Sequence, residues 1–253
     1  MDKNIYRIAG VKKSFEVDGN ELRVIEEANI TIEENEFVCL VGPSGCGKST
    51  LLRMLAGLDT PTKGTIFFKD HPLCAPTKDI GMVFQNYSLM PWQNVEDNIA
   101  LGLKFQGVPK VKQKLVIDEY LDIIGLTKFR KSYPHQLSGG MQQRVAIARS
   151  LANDPEVVLM DEPFGALDAH TRIQLQKELL RIWENHKKTI IFVTHSVDEA
   201  IYLADRIIMM SKDHGKIEAD IPVNIPRVRE RSDPRYAKLN QSLLEKLEVL
   251  NEV

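Results

Sequence analysis

Eight residues, Gly42-Pro43-Ser44-Gly45-Cys46-Gly47-Lys48-Ser49, restrict the possible folds more than any other stretch of the chain. They match GxxxxGK[ST], and their flanks are as informative as the match. Phe37–Val41 is a short apolar run of strand type, and over residues 49–58 Leu51, Leu52 and Leu55 recur at helical spacing before Gly57 closes the run. A strand feeding a glycine-rich turn that opens a helix is the context a phosphate cradle requires. The glycines let successive backbone N–H groups turn inward, and the helix N-terminus adds its dipole. Lys48 then reaches the β- and γ-phosphates, Ser49 ligates Mg²⁺, and Thr50 follows in the first helical turn. With Gly at about 7% of residues, chance produces such a match in a chain this long on the order of one time in a hundred.

The remaining periodicity is that of an α/β chain. Residues 5–11 and 22–32 read as antiparallel strands joined through Asp18-Gly19-Asn20, and residues 66–68 and 80–84 as further strands. From Gln85 to about Asn153 the pattern turns helical: residues 112–124 carry Leu115, Tyr120, Leu121 and Ile124 as apolar positions, and residues 140–152 are Ala-rich. Residues 157–160 and Thr189–Thr194 are apolar strands of the kind a doubly covered parallel sheet contains. An amphipathic helix between them, residues 169–185, places Leu175, Leu179, Ile182 and Trp183 on one face. Pro222, Pro226 and Pro234 break up the tail before a last helix over residues 237–250. The grammar is βαβ with a helical block inserted.

The totals narrow the function classes. With 253 residues and 43% hydrophobic content the chain can bury a core without metal or disulfide support. Its 33 basic and 35 acidic residues give no basic excess for gripping nucleic acid. No apolar run reaches the ~18 residues that span a bilayer, and the first residues, MDKNIYRIAG, hold no signal-peptide core. The three cysteines, Cys39, Cys46 and Cys74, lack CxxC spacing, which predicts a reduced, cytoplasmic chain.

Beyond the cradle, Val157-Val158-Leu159-Met160-Asp161-Glu162 ends an apolar strand in two carboxylates, at the edge where α/β sheets bind ligands. Alone this is a solvated strand end. Beside a phosphate cradle, Asp161 suits Mg²⁺ and Glu162 suits orienting and deprotonating a water. His195 after Thr189–Thr194 reads as a helix-capping residue or a γ-phosphate contact, and Gln85 as a loop residue or a ligand of Mg²⁺ or water. Ser138-Gly139-Gly140 precedes the Ala-rich helix and reads as an N-cap or as a second anion site. A second phosphate-type site so far along the chain makes sense if it serves another molecule's nucleotide.

In order, these motifs resemble the ABC transporter ATPase family over about residues 5–220: the loop Gly42–Thr50, Gln85, the signature Leu137-Ser138-Gly139-Gly140-Met141-Gln142-Gln143-Arg144, Asp161 and Glu162, the turn Ala166-Leu167-Asp168, and His195. One departure is Met141, where the family's LSGGQ has Gln. The resemblance implies a P-loop NTPase, RecA-like core (about residues 1–85 and 154–220) with an N-terminal antiparallel β-subdomain. An inserted helical subdomain, about residues 86–153, completes a cassette over residues 1–230, and a helical tail follows over 231–253. It implies Mg-ATP clamped in a head-to-tail homodimer, each ATP between the loop of one copy and the Ser138 turn of its twin, with Asp168 at the seam. Phe15 matches the adenine-stacking aromatic, with a plain core phenylalanine as the alternative. The partner it implies is a transmembrane permease, contacted near residues 87–92, where Leu89, Met90 and Trp92 fit either such a contact or subdomain core.

A narrower resemblance is to the nitrate/sulfonate/taurine importer branch. It rests on Met90-Pro91-Trp92-Gln93-Asn94-Val95, Phe164-Gly165-Ala166-Leu167-Asp168, Thr194-His195-Ser196-Val197-Asp198-Glu199-Ala200 and the Arg/Pro tail over residues 225–234. It implies a subunit on the cytoplasmic side of the membrane, serving a permease and, indirectly, a solute-binding protein. Arg227, Arg229, Arg231 and Arg235 read as a solvated tail or a packing edge. A DNA-repair or translation ATPase of the same family is disfavoured: the chain has no coiled-coil insert, no second phosphate loop and no basic surplus.

Overall fold

The computed structural model describes residues 4–252 apart from Ala166, and only the backbone of Asn185, His186, Asn251 and Glu252. Two compact units result: one comprises the chain up to Thr77 with that from Thr189 onward, the other Lys78–Lys188. The first unit opens with a hairpin, β1 (Asn4–Val17) and β2 (Asn20–Glu33). Asp18 and Gly19 turn it with φ of 51° and 76°, the left-handed pair a two-residue hairpin turn needs. β3 (Phe37–Val41) is fully buried, as its apolar run predicts, and leads through the glycine loop to α1 (Lys48–Leu55). Each of its large side chains so buried contributes about 1.5–3 kcal/mol. The helix stops at Leu55, short of the expected residue 58, because Gly57 turns left-handed (φ 69°). A Cβ there would lie 2.5 Å from the Ala75 carbonyl. β4 (Lys63–Phe68) and β5 (His71–Pro72) complete an antiparallel sheet of order β2-β1-β4-β5.

The second unit is built on two parallel strands, β6 (Ile80–Val83) and β7 (Val157–Asp161), paired with Val83 opposite Met160. Between them run α2 (Val95–Ile99), α3 (Leu101–Phe105), α4 (Lys110–Ile123) and α5 (Gly139–Leu151), and α6 (Ala169–His186) follows β7. The helical block expected over residues 86–153 thus lies in one unit together with β6, β7 and α6. Asn98, wholly buried, accepts from Met90 N and donates to the carbonyls of Met90, Gln93 and Asn94, which sets the turn ahead of α2. On α6, Leu175, Leu179, Ile182 and Trp183 are all buried, as the periodicity implies. On α4 it misplaces Leu115, which is 65% exposed. At about 100° per residue, Tyr120, Leu121 and Ile124 share a stripe and Leu115 falls on the far side.

The chain then returns to the first unit through β8 (Thr189–Thr194), α7 (Val197–Leu203), β9 (Arg206–Met210) and β10 (Ile217–Pro222). β8 and β9 flank β3 in parallel, and β10 runs antiparallel on β9. α8 (Pro234–Glu252) packs on α7. Pro234, read above as a breaker, opens this helix instead, since a first-turn residue needs no N–H donor. Of the four arginines, Arg227 and Arg229 form a packing edge, whereas Arg231 and Arg235 stay exposed. Arg229 is 4% exposed and donates to the carbonyls of Ile201, Ala204 and Ile225, among others. That burial, with Arg227 nearby, pushes its guanidinium down to about 10.

Candidate nucleotide site

In the first unit the glycine loop has the shape its sequence predicts, and two glycines are sterically required. A Cβ on Gly42 would lie 2.3 Å from the Met210 carbonyl oxygen, and Gly47, which caps α1 with φ 98°, would bring one within 3.0 Å of the Val24 carbonyl. Cys46 N donates to Pro43 O, closing the turn. Ser44, Gly45 and Ser49 are exposed, Thr50 is half-buried, and Pro43 and Cys46 are buried. Lys48 is 4% exposed, and its ammonium donates to the carbonyls of Gly42 and Pro43, each at 2.8 Å. Burial strengthens such bonds and makes leaving them costly without an equal or better acceptor. A loop whose glycines pack closely on neighbouring backbone, with a buried cation at its base, is the candidate anion site in this unit.

The parallel pairing of β3 with β8 sets Val41 opposite Thr194, so Gly42 and His195 leave neighbouring strands at the same edge. His195 is exposed, and Ser196 caps α7 by accepting from Glu199 N, so capping falls to Ser196 rather than to the histidine. Phe15 lies in β1, 38% exposed, with the Lys13 ammonium 4.7 Å from its ring centre. Lys13 is fixed by Asp59 at 2.6 Å and the Thr60 carbonyl at 2.8 Å. Its exposure argues against a plain core phenylalanine.

In the second unit the register of β6 on β7 brings Gln85 out beside Asp161 and Glu162. Gln85 is exposed; both carboxylates are half-buried. Glu162 adopts φ 41°, a left-handed conformation that costs a non-glycine residue on the order of 1 kcal/mol and clusters at working sites. Ser138 caps α5, its Oγ accepting from Met141 N at 3.3 Å. A cap occupies only one first-turn N–H, that of Met141, so the N-cap reading of Ser138 does not exclude the anion reading. A Cβ on Gly140 would meet Thr171 Cγ2 at 2.6 Å, and one on Gly139 the Tyr87 hydroxyl at 3.1 Å. Asp168 caps α6 by accepting from Thr171 N, a hydrogen bond that holds its carboxyl below the usual range. The Ser138 turn, Asp168 and Tyr87 are therefore neighbours; Ala166 of the same turn lies outside the described residues.

Of three further findings, the sequence reading had left the second open and missed the other two. Arg149 of α5 donates to the carbonyls of Tyr87 and Ser88, fixing the segment just after Gln85. An arginine after the buried run Val145–Ala148 was the available signal. Trp92 is 72% exposed and so is not subdomain core, whereas Leu89 and Met90 are half-buried. The third is the tie between the arginine tail and α7. Among the described residues, no group of three or more His, Cys, Asp or Glu side chains could hold a metal ion. No helix among them is long and apolar enough to cross a membrane.

The family model for ABC transporters matches residues 25–165. An uncharacterised ABC transporter ATP-binding protein of Methanocaldococcus jannaschii is 48% identical, over 94% of this chain and 89% of that protein. The aliphatic sulfonates import ATP-binding protein of Bacillus cereus is 47% identical over 95% of each chain. The nitrate import ATP-binding protein of Synechococcus elongatus is 45% identical over 93% of this chain and 88% of that protein. Among solved structures, a dimeric ATP-binding cassette in a post-hydrolysis state with ADP and Pi superposes with a TM-score of 0.79. It is 32% identical and matches 87% of this chain and all of that one.

Proposed function

Since this chain belongs to the ABC transporter family and is the ATP-binding, ATP-hydrolysing cassette of an importer, we propose that it powers uptake of a small oxyanion, of the sulfonate or nitrate class, through a separate permease. The observation that carries the reading is the glycine-lined loop between β3 and α1 with Lys48 buried at its base. The loop N–H groups hold the phosphates, and Lys48 leaves the carbonyls of Gly42 and Pro43 for the stronger β- and γ-phosphate acceptors. Phe15 stacks on adenine. The family resemblance assigns Ser49, Gln85 and Asp161 to Mg²⁺, which would supply charge neutralisation at the phosphates.

Glu162 orients the attacking water and takes its proton, and His195 contacts the γ-phosphate. The Ser138 turn receives the nucleotide of a second copy, with Asp168 supporting the seam. ATP thus closes a homodimer and hydrolysis reopens it. The exposed Trp92 docks the permease from the cytoplasmic face, which makes this chain a peripheral subunit, and a solute-binding protein supplies the substrate to that permease. The test is Glu162→Gln with Mg-ATP: the reading expects a nucleotide-trapped dimer with no turnover. A strictly monomeric, ATP-loaded protein alongside its permease refutes it.

A further inference from the structure

His195 sits on a turn that other residues hold in place. Thr194 Oγ1 donates to Glu199 Oε2 at 2.6 Å and accepts from Ser196 N at 3.0 Å, and Ser196 Oγ accepts from Glu199 N. His195 is therefore carried by the first turn of α7. That helix has seven residues, far fewer than a helix needs to stand alone, so its position is set by what it packs on, β3 and β8 through its buried Ala200, Ile201 and Leu203, and by what grips its outer side.

The grip comes from the tail. Arg231 holds both carboxylate oxygens of Asp198, Nε to Oδ1 at 2.8 Å and Nη2 to Oδ2 at 2.7 Å, and its guanidinium lies 4.6 Å from the Tyr202 ring centre. Tyr236 at the start of α8 donates to Asp198 Oδ1 at 2.7 Å. At the other end of α7, Arg229 takes the Ile201 and Ala204 carbonyls at 2.6 Å, and Arg227 takes the Leu203 carbonyl and the Asp205 carboxylate. These are the carbonyls a helix C-terminus leaves without partners, and cations there also meet the negative end of the helix dipole.

We propose that Arg231 and Tyr236, acting through Asp198, are positioning residues for His195, so that the C-terminal segment sets the rate of hydrolysis without touching nucleotide. Asp198 is the pivot: it lies three residues beyond His195 in sequence and accepts from two elements of the tail. The inference rests on the reading of His195 as the γ-phosphate contact. Loosened at Asp198, α7 keeps its buried face on β3 and β8 and yields first at its N-terminal end, beside His195.

The experiment measures ATP affinity, ATPase kcat and KM, and thermal melting for the full-length chain as wild type, His195→Ala, Arg231→Ala, Arg231→Lys and Tyr236→Phe. For Arg231→Ala and Tyr236→Phe the expected result is a kcat lower by roughly 10- to 100-fold, the range that misplacement of a catalytic group by an ångström produces. KM and ATP affinity stay within about twofold, and Arg231→Lys recovers part of the loss. Wild-type kcat in Tyr236→Phe, beside an inactive His195→Ala, overturns the proposal. So does an Arg231→Ala protein whose kcat, KM and melting temperature all deteriorate together. A fully active His195→Ala overturns the assignment of His195 itself, a separate outcome. Should Arg231→Ala fail to fold, Tyr236→Phe, which removes a single oxygen, decides.

Discussion

Replacing Lys48 by alanine separates what the lysine does for the empty loop from what it does for ATP. In the structure its ammonium is buried and bonded to the Gly42 and Pro43 carbonyls at 2.8 Å. A hydrogen bond to a charged group nets about 1.5–3 kcal/mol, from which the desolvation of the ammonium must be subtracted. The empty protein should therefore lose on the order of 1–2 kcal/mol, and at about 2–4 °C per kcal/mol melt a few degrees lower. With nucleotide, the same charge faces phosphate oxygens. At an effective dielectric of about 20 and 4 Å, one unit charge contributes about 4 kcal/mol. Surrendering the carbonyls offsets about 1–2 kcal/mol of that, leaving about 2–3 kcal/mol, or a roughly 30- to 150-fold weaker Kd in Lys48→Ala. Titration with a fluorescent ATP analogue reads the affinity and a thermal scan reads the loop. An affinity within about threefold of wild type would refute the reasoning, whatever the melting temperature does.

The remaining expectations concern other parts of the molecule. Glu162→Gln should retain ATP affinity and lose turnover by about 10²- to 10⁴-fold, the range of general-base removal, as read by phosphate release. Trp92→Ala should leave the melting temperature and ATP affinity of the isolated chain unchanged, because the ring is 72% exposed, and abolish co-purification with the permease. Burial raises the Asp198 carboxyl, but hydrogen bonds from Arg231 and Tyr236 outweigh it and leave the pKa below the ordinary range. A depressed carboxylate contributes stability that is present above its unfolded pKa, about 3.9, and lost as pH falls through the folded value. The melting difference between wild type and Arg231→Ala should accordingly shrink as the solution is taken below that range. Met141→Gln, which restores the family's usual residue, should change kcat by no more than about twofold in a steady-state ATPase assay.

The parts of the fold that could be read in advance are those whose burial is simple. β3 and β8 are covered on both faces, so their apolar runs mark them without ambiguity, and the loop after β3 is pinned by glycines that nothing else can replace. Periodicity failed where burial was one-sided and short. Leu115 fits a helical count and yet faces solvent, because it lies on the side of the helix opposite the packed stripe of Tyr120, Leu121 and Ile124. The tail was illegible for a different reason. An arginine run carries no sign of whether it meets water or carbonyl oxygens, and the partners of Arg229 and Arg231 lie some 30 residues earlier in the chain. In the site, residue types at strand ends told which groups carry chemistry, and parallel register explains why pairs such as Gly42 with His195, or Gln85 with Glu162, emerge together. What no motif conveys is how each group is held: the left-handed turn at Glu162, the Arg149 clasp behind Gln85, the grip on α7.

Met141 illustrates how the chemistry divides between backbone and side chain. Position 141 contributes its N–H to the Ser138 hydroxyl, an interaction any residue except proline supplies. Gly140 is constrained by Thr171 and Gly139 by Tyr87, contacts a Cβ would spoil whatever followed in the sequence. The groups suited to an anion at this turn are one hydroxyl and the first amides of α5, none of which depends on the side chain at 141. The same division holds in the loop before α1, where glycine amides line the cradle and only Lys48 and Ser49 add side-chain chemistry. A glutamine-to-methionine exchange at 141 should therefore be tolerated where a glycine-to-alanine exchange at 140, which would drive a Cβ to 2.6 Å from Thr171 Cγ2, should not: on the proposed reading the anion meets backbone, and backbone is spoiled by added bulk far more readily than by altered polarity alongside it.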